Sequence, residues 1–204
     1  MKEVKLAVIY YSSTGTNHQM AKWAEEAGKQ MGAKEVRFRR IKETAPQEAI
    51  NANEDWKKHH EATKEVTTAS LDDLEWADAI IFSAPTRYGG LPSQVQAFFD
   101  TTGGLWFQGK LANKVVSGMT SAQNPHGGQE TTLTALYKTM FHWGAIPAAP
   151  GYTDEVMFGA GGNPYGVSSK AGVDNLDENI KKAVAHQVKR TLQLAGWIKK
   201  GIQE

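Results

Sequence analysis

The chain has 204 residues, 40% hydrophobic and 22% charged, an ordinary balance for a water-soluble globular protein and enough length for one well-cored α/β domain. A net charge of +1 gives no strong pull towards nucleic acid or an acidic membrane surface. The absence of cysteine excludes disulfides and thiol chemistry; with no signal-like leader and no apolar run of membrane-spanning length, the expected location is the cytoplasm.

Val4 and the run from Leu6 to Tyr11 are nearly all apolar, the pattern of a strand buried on both faces of a parallel sheet. Ser12, Ser13, Thr14, Gly15, Thr16 and Asn17 follow, a block of hydroxyls around one glycine. Met20, Ala21, Trp23, Ala24 and Ala27 then recur at helical spacing. A strand, a hydroxyl-rich turn and a helix N-terminus make an anion site, with free N–H groups and the positive helix end facing the turn. Ser12, Thr14, Thr16 and Asn17 can add side-chain donors. There is no GxGxxG for a pyrophosphate and no following lysine for a triphosphate, so a phosphate monoester fits better. A plain helix cap is the competing account, since Ser, Thr and Asn are preferred there.

Val36, Phe38 and Ile41 predict a second strand. From about 44 to 68 the chain turns polar, and the simplest expectation is an exposed, mobile insertion with a helical piece. His59 and His60 lie within it. With no Cys, Asp or Glu cluster at ligand spacing they read as a solvated face, and no metal is expected. Leu71 to Trp76 predicts a short helix capped by Ser70. Asp78 to Ala84 predicts a third strand, followed by a loop of Pro85, Thr86, Arg87, Tyr88, Gly89 and Gly90. Pro92 opens the next helix. Residues 101–109 read as a glycine-rich turn bearing Trp106 and Phe107. Lys114 to Met119 predicts a fourth strand, which delivers Ser121, Ala122, Gln123, Asn124, His126, Gly127 and Gly128. A helix from Gln129 ends at His142, with Gly144 as its C-terminal cap. A short fifth strand spans Ile146 to Ala149, residues about 151–172 form a second, glycine-rich insertion, and an amphipathic helix from about Asp177 to Ile198 closes the chain.

Five strands alternating with helices predict a parallel sheet covered on both faces. No repeat or linker divides the chain, so residues 1–204 are expected to form a single domain. The loops after strands one, three and four should converge on one crevice at the carboxyl ends of the strands. Their glycines, prolines, threonines and aromatics can lie against a planar heterocycle, with Tyr88 or Trp106 stacking on its face. The set suits a flavin: its phosphate at the first loop, its ring between the other two, and amides near Gly127 and Gly128 offsetting charge on the reduced ring.

The motifs SSTGTN, PTRYGGLPSQVQAFFDTTGGLW and TSAQNPHGGQETTL closely resemble the WrbA group of flavodoxin-like NAD(P)H:quinone oxidoreductases, and the similarity covers nearly the whole chain. The resemblance implies a flavodoxin-like, doubly wound, five-stranded parallel sheet. It implies FMN rather than FAD, with the phosphate held by residues 12–17. Thr86, Arg87 and Tyr88 would lie beside the isoalloxazine, residues 121–127 along its pyrimidine edge, and His142 would reach the site. Trp106 would wall the substrate side, and Thr14 would stand where the family touches the dinucleotide. It also implies NAD(P)H as donor, a quinone as acceptor, ping-pong turnover and a homotetramer whose sites are completed by neighbouring subunits. Arg87 and His142 are the candidates for stabilising negative charge on flavin or quinone. Two rivals stand beside this: an electron carrier, against which near-neutral charge counts, and a regulatory flavin-binding protein, for which no basic recognition helix is present.

Overall fold

The computed structural model describes residues 3–203. Its strands are β1 (Lys5–Tyr10), β2 (Glu35–Arg40), β3 (Ala79–Pro85), β4 (Val115–Ala122), β5 (Ile146–Pro147) and β6 (Ser168–Lys170). The sheet order is β2-β1-β3-β4-β5, all pairs parallel, with β6 also on β4. Helices cover both faces. α1 (Thr16–Gln30) and α9 (Glu178–Gln203) lie on one; α4 (Leu71–Trp76), α5 (Ser93–Asp100) and α7 (Gln129–Trp143) lie on the other.

The period-two alternation of strands explains the layering. Leu6, Val8 and Tyr10 of β1 enter the core under α1 and α9, with Met20, Ala24, Val184, Val188 and Leu192. Ala7 and Ile9 enter the opposite core, with Leu74, Val95, Phe99, Leu133 and Met140. Because both faces are buried, the strand reads as one apolar run rather than as alternation.

Three segments differ from the sequence-based expectation. Residues 44–68 hold the expected helical piece and a second one, as α2 (Gln47–Asn51) and α3 (Glu54–Ala62). The 101–109 turn contains a short helix, α6 (Gly103–Phe107). The 151–172 insertion contains α8 (Val156–Gly159) and β6, so the sheet has six strands rather than five. β5 pairs with the start of β4 at Val115 and Val116, and β6 with its end at Thr120 to Ala122. One edge is thus filled in two pieces, with the insertion looping out between them.

Candidate functional site

The first loop is shaped by Gly15, whose φ of +103° is a left-handed turn that favours glycine. It brings β1 into α1 with no side-chain cap. The N–H groups of Thr16, Asn17 and His18 therefore lack intrahelical acceptors and face the turn. The Ser12 hydroxyl accepts the Gly15 N–H at 3.0 Å and that of Thr16 accepts the Gly172 N–H at 2.8 Å, so both keep a proton to donate. Asn17 behaves otherwise. Its amide donates to Ser83 Oγ at 3.2 Å and accepts from Ser121 Oγ at 2.6 Å. The side-chain amide expected to serve as a donor thus ties the start of α1 to β3 and β4, and the backbone N–H of Asn17 is what it offers an anion.

The second loop is a tight turn in which Arg87 and Gly90 exchange backbone hydrogen bonds of 2.8 and 2.9 Å. Tyr88, at φ +51°, is pushed wholly into solvent at its apex. Arg87 crosses to the first loop, where Nη2 donates to Ser13 Oγ at 3.0 Å. The second loop is pinned to β4 and to α7: Thr86 N–H donates to Ser121 O at 2.9 Å, and Thr132 Oγ1 donates to Thr86 Oγ1 at 2.7 Å. Gly128, at φ +82°, begins α7, and a Cβ added there would stand 2.5 Å from the Gly89 Cα. The second and third loops therefore close on each other through two glycines.

The three loops enclose a cleft of about 610 Å³, lined by residues 12–14, 16–17, 85–88 and 121–124, with Gly127. Gly15 and Gly89 shape the walls without lining them. His126 is exposed, and its N–H rests on Asn124 Oδ1 at 3.1 Å. Trp106 and His142 do not line this chain's cleft. They sit together elsewhere, the indole N–H donating to the His142 carbonyl at 2.8 Å. Trp143 turns inward and meets Phe99 edge-on at 5.4 Å.

The sequence reading missed Asn53, Trp56 and Ala171, which also line the cleft. Asn53 caps α3 by accepting the Trp56 N–H at 3.0 Å. The signal was present: an Asn followed by two acidic residues and a lone aromatic is a helix start. Behind Trp56 stands Glu43, whose carboxylate takes the Trp56 indole N–H, the Tyr11 hydroxyl, the Gln94 amide and two backbone N–H groups. Burial pushes the Glu43 carboxyl up, but these hydrogen bonds outweigh it and hold it below the usual range. His59 is half-buried and packed 5.2 Å from His18, ring to ring, rather than solvated.

Among the described residues no group of three or more His, Cys, Asp or Glu stands together to hold a metal. Among those lining the cleft, Arg87 alone is charged. Neutral hydroxyls and helix-start amides at one end suit a phosphate monoester. Backbone-rich loops with Tyr88 suit a planar ring, and the volume is that of a small-ligand site. The residues present therefore fit FMN.

Comparison with known proteins agrees. A family described as NADPH-dependent FMN reductase matches residues 4–154. A protein of Deinococcus radiodurans named NAD(P)H dehydrogenase (quinone) is 57% identical over 94% of this chain and 95% of its own length. One of Geotalea uraniireducens with the same name is 35% identical over 94% and 98%. In fold, the chain resembles a WrbA-like flavodoxin of Agrobacterium tumefaciens, with a TM-score of 0.62 at 19% identity, covering 97% of this chain and 99% of that one. On the extent of that match and these identities, the chain belongs to the NADPH-dependent FMN reductase family.

Proposed function

We propose that this protein is an FMN-dependent NAD(P)H:quinone oxidoreductase of the WrbA group. The carrying observation is the cleft itself: a neutral phosphate turn, two backbone-rich loops and a single cation, Arg87, in one cavity. The names of the relatives support the donor and the acceptor. FMN, when bound, would supply the redox chemistry, a ping-pong hydride transfer between NAD(P)H and a quinone. The chain's own residues bind and orient. Thr16 and Asn17 amides and the Ser12, Thr14 and Thr16 hydroxyls hold the phosphate; loops 85–88 and 121–127 fix the ring; Arg87 offsets negative charge developing beside it. Thr14, at the exposed edge of the turn, faces the donor. We further propose that the protein works in the cytoplasm as a homotetramer, and that Trp106 and His142, outside their own cleft, serve a neighbouring chain's. No helix of the described residues is long and apolar enough to cross a membrane.

The test is an anaerobic titration of FMN-loaded protein with NADH and with NADPH, followed by benzoquinone. Bleaching of the flavin absorbance by a stoichiometric amount of one dinucleotide, with prompt recolouring by quinone, is expected. No bleaching by either dinucleotide would overturn the proposal.

A further inference from the structure

Helix α3 lies in the polar insertion of residues 44–68, and one face of it meets the cofactor cleft. Asn53, Trp56 and His59 succeed one another at intervals of three residues, so they share a face. Asn53 and Trp56 line the cleft. His59 packs outside the first loop, where its Nδ1 lies 3.6 Å from the point a Gly15 Cβ would occupy. The helix therefore meets the cleft through Asn53 and Trp56 and the outside of the phosphate turn through His59.

Trp56 is held in a fixed orientation. Its one polar atom, Nε1, donates to Glu43 Oε2 at 3.1 Å, and the Tyr11 hydroxyl donates to the same oxygen at 3.0 Å. The other oxygen takes Gln94 Nε2 at 2.7 Å and the Thr44 and Ala45 N–H groups at 2.9 Å each. One carboxylate thus ties the end of β1, α3 and α5 together. With its N–H satisfied there, the indole offers the cleft only apolar ring. Such a ring costs little conformational entropy to hold, because only two side-chain torsions are fixed. Over a phosphate held by the turn amides, such a ring would keep water out and lower the dielectric in which those hydrogen bonds act.

We propose that α3 is a cofactor-retaining lid, with Trp56, oriented by Glu43, as an FMN-binding side chain that covers the phosphate end of the cleft. This rests on the FMN assignment above. The lid acts on release more than on capture: removing it leaves the phosphate turn open and intact. Trp56→Ala is expected to raise the FMN dissociation rate about tenfold with little change in association, the usual division for a contact formed within a complex. Glu43→Gln replaces an oxygen that accepts two donors with an amide N–H, and should release FMN faster in the same way. Trp56→Phe keeps a flat ring and should restore most of the retention.

The experiment uses protein labelled with 5-fluorotryptophan, whose six indoles give six fluorine signals. The Trp56 signal is identified by its loss in Trp56→Phe. Cofactor-free protein is titrated with FMN while flavin fluorescence is followed, and dissociation rates are measured for wild type and the three variants. A Trp56 signal displaced more than those of the other five indoles, with faster release from Trp56→Ala and Glu43→Gln, is the expected result. Quenched flavin with a stationary Trp56 signal, or a signal that moves with dinucleotide and not with FMN, would overturn the lid alone. Wild-type protein that fails to quench flavin would overturn the FMN assignment and the lid together.

Discussion

Asn17 is 1% exposed, and both polar atoms of its side-chain amide are engaged with neighbouring strands, so its value to the site is positional. Replacing it with alanine strips an acceptor from the buried Ser121 hydroxyl and a donor from Ser83. Asn17→Ala should therefore cost about 1–3 kcal/mol, the range for leaving a buried group unpaired, read as a lower urea midpoint of the cofactor-free protein. His59 acts through charge. Burial, followed by the nearby His18 and His60, lowers its pKa from 6.5 to about 4. The unfolded chain thus takes up its proton first as pH falls. The contribution of neutral His59 is complete above about pH 6.5, shrinks below it, and is gone by about pH 4. Urea midpoints measured from pH 7.5 down to 4.5 should fall less steeply for His59→Gln than for wild type. Burial also lowers the pKa of the facing His18, with Lys22 adding to the shift and Glu25 opposing it, so both imidazoles resist protonation.

At the scale of elements, α3 shows why a helix can be expected in a segment while its bounds and its role stay illegible. It buries no residue fully, so it has no apolar stripe to give periodicity. It is held by an asparagine cap, by the Trp56–Glu43 bond, and by Arg40 donating to the carbonyls of Val66 and Lys64 just beyond it. A helix so held should be sensitive to its cap: Asn53→Ala should cost it about 1 kcal/mol, seen as faster amide hydrogen exchange across residues 54–62 with the sheet amides unchanged. β6 was illegible for a different reason. Its sequence, Ser168, Ser169 and Lys170, carries no hydrophobic alternation, and it is a strand only because β4 extends past β5 and leaves its upper edge free. The buried strands and the three site loops were legible because burial on both faces writes a continuous apolar run, and because each loop follows such a run. Glu43 could not be found that way: its partners, Tyr11, Trp56 and Gln94, are scattered in sequence and meet only in the fold.

At the scale of the whole molecule, the unresolved economy of the site is that Trp106 and His142 stand off their own cleft on an apolar surface. Trp106 is 53% exposed, Phe107 85% and Phe141 66%, and they belong to α6 and the end of α7. Side chains of that size left in solvent suit contact with another chain. If the proposed tetramer completes each cleft with a neighbour's Trp106 and His142, substitutions there should separate binding from turnover. Trp106→Ala should raise the quinone KM while FMN remains bound; loss of FMN from that variant would contradict the substrate-side role. The trans arrangement has its own signature. Arg87→Ala disables a chain's own cleft, whereas His142→Ala disables what it offers to a neighbour. Each homogeneous variant should be slow. Co-assembled in equal amounts, they should recover activity, because random mixing gives about a quarter of the clefts an intact Arg87 facing an intact His142 from another chain. If His142 acted within its own chain, every cleft of the mixture would lack one of the two groups and no activity would return. Recovery measured as quinone reduction per bound FMN, before and after exchange of subunits, decides between the two.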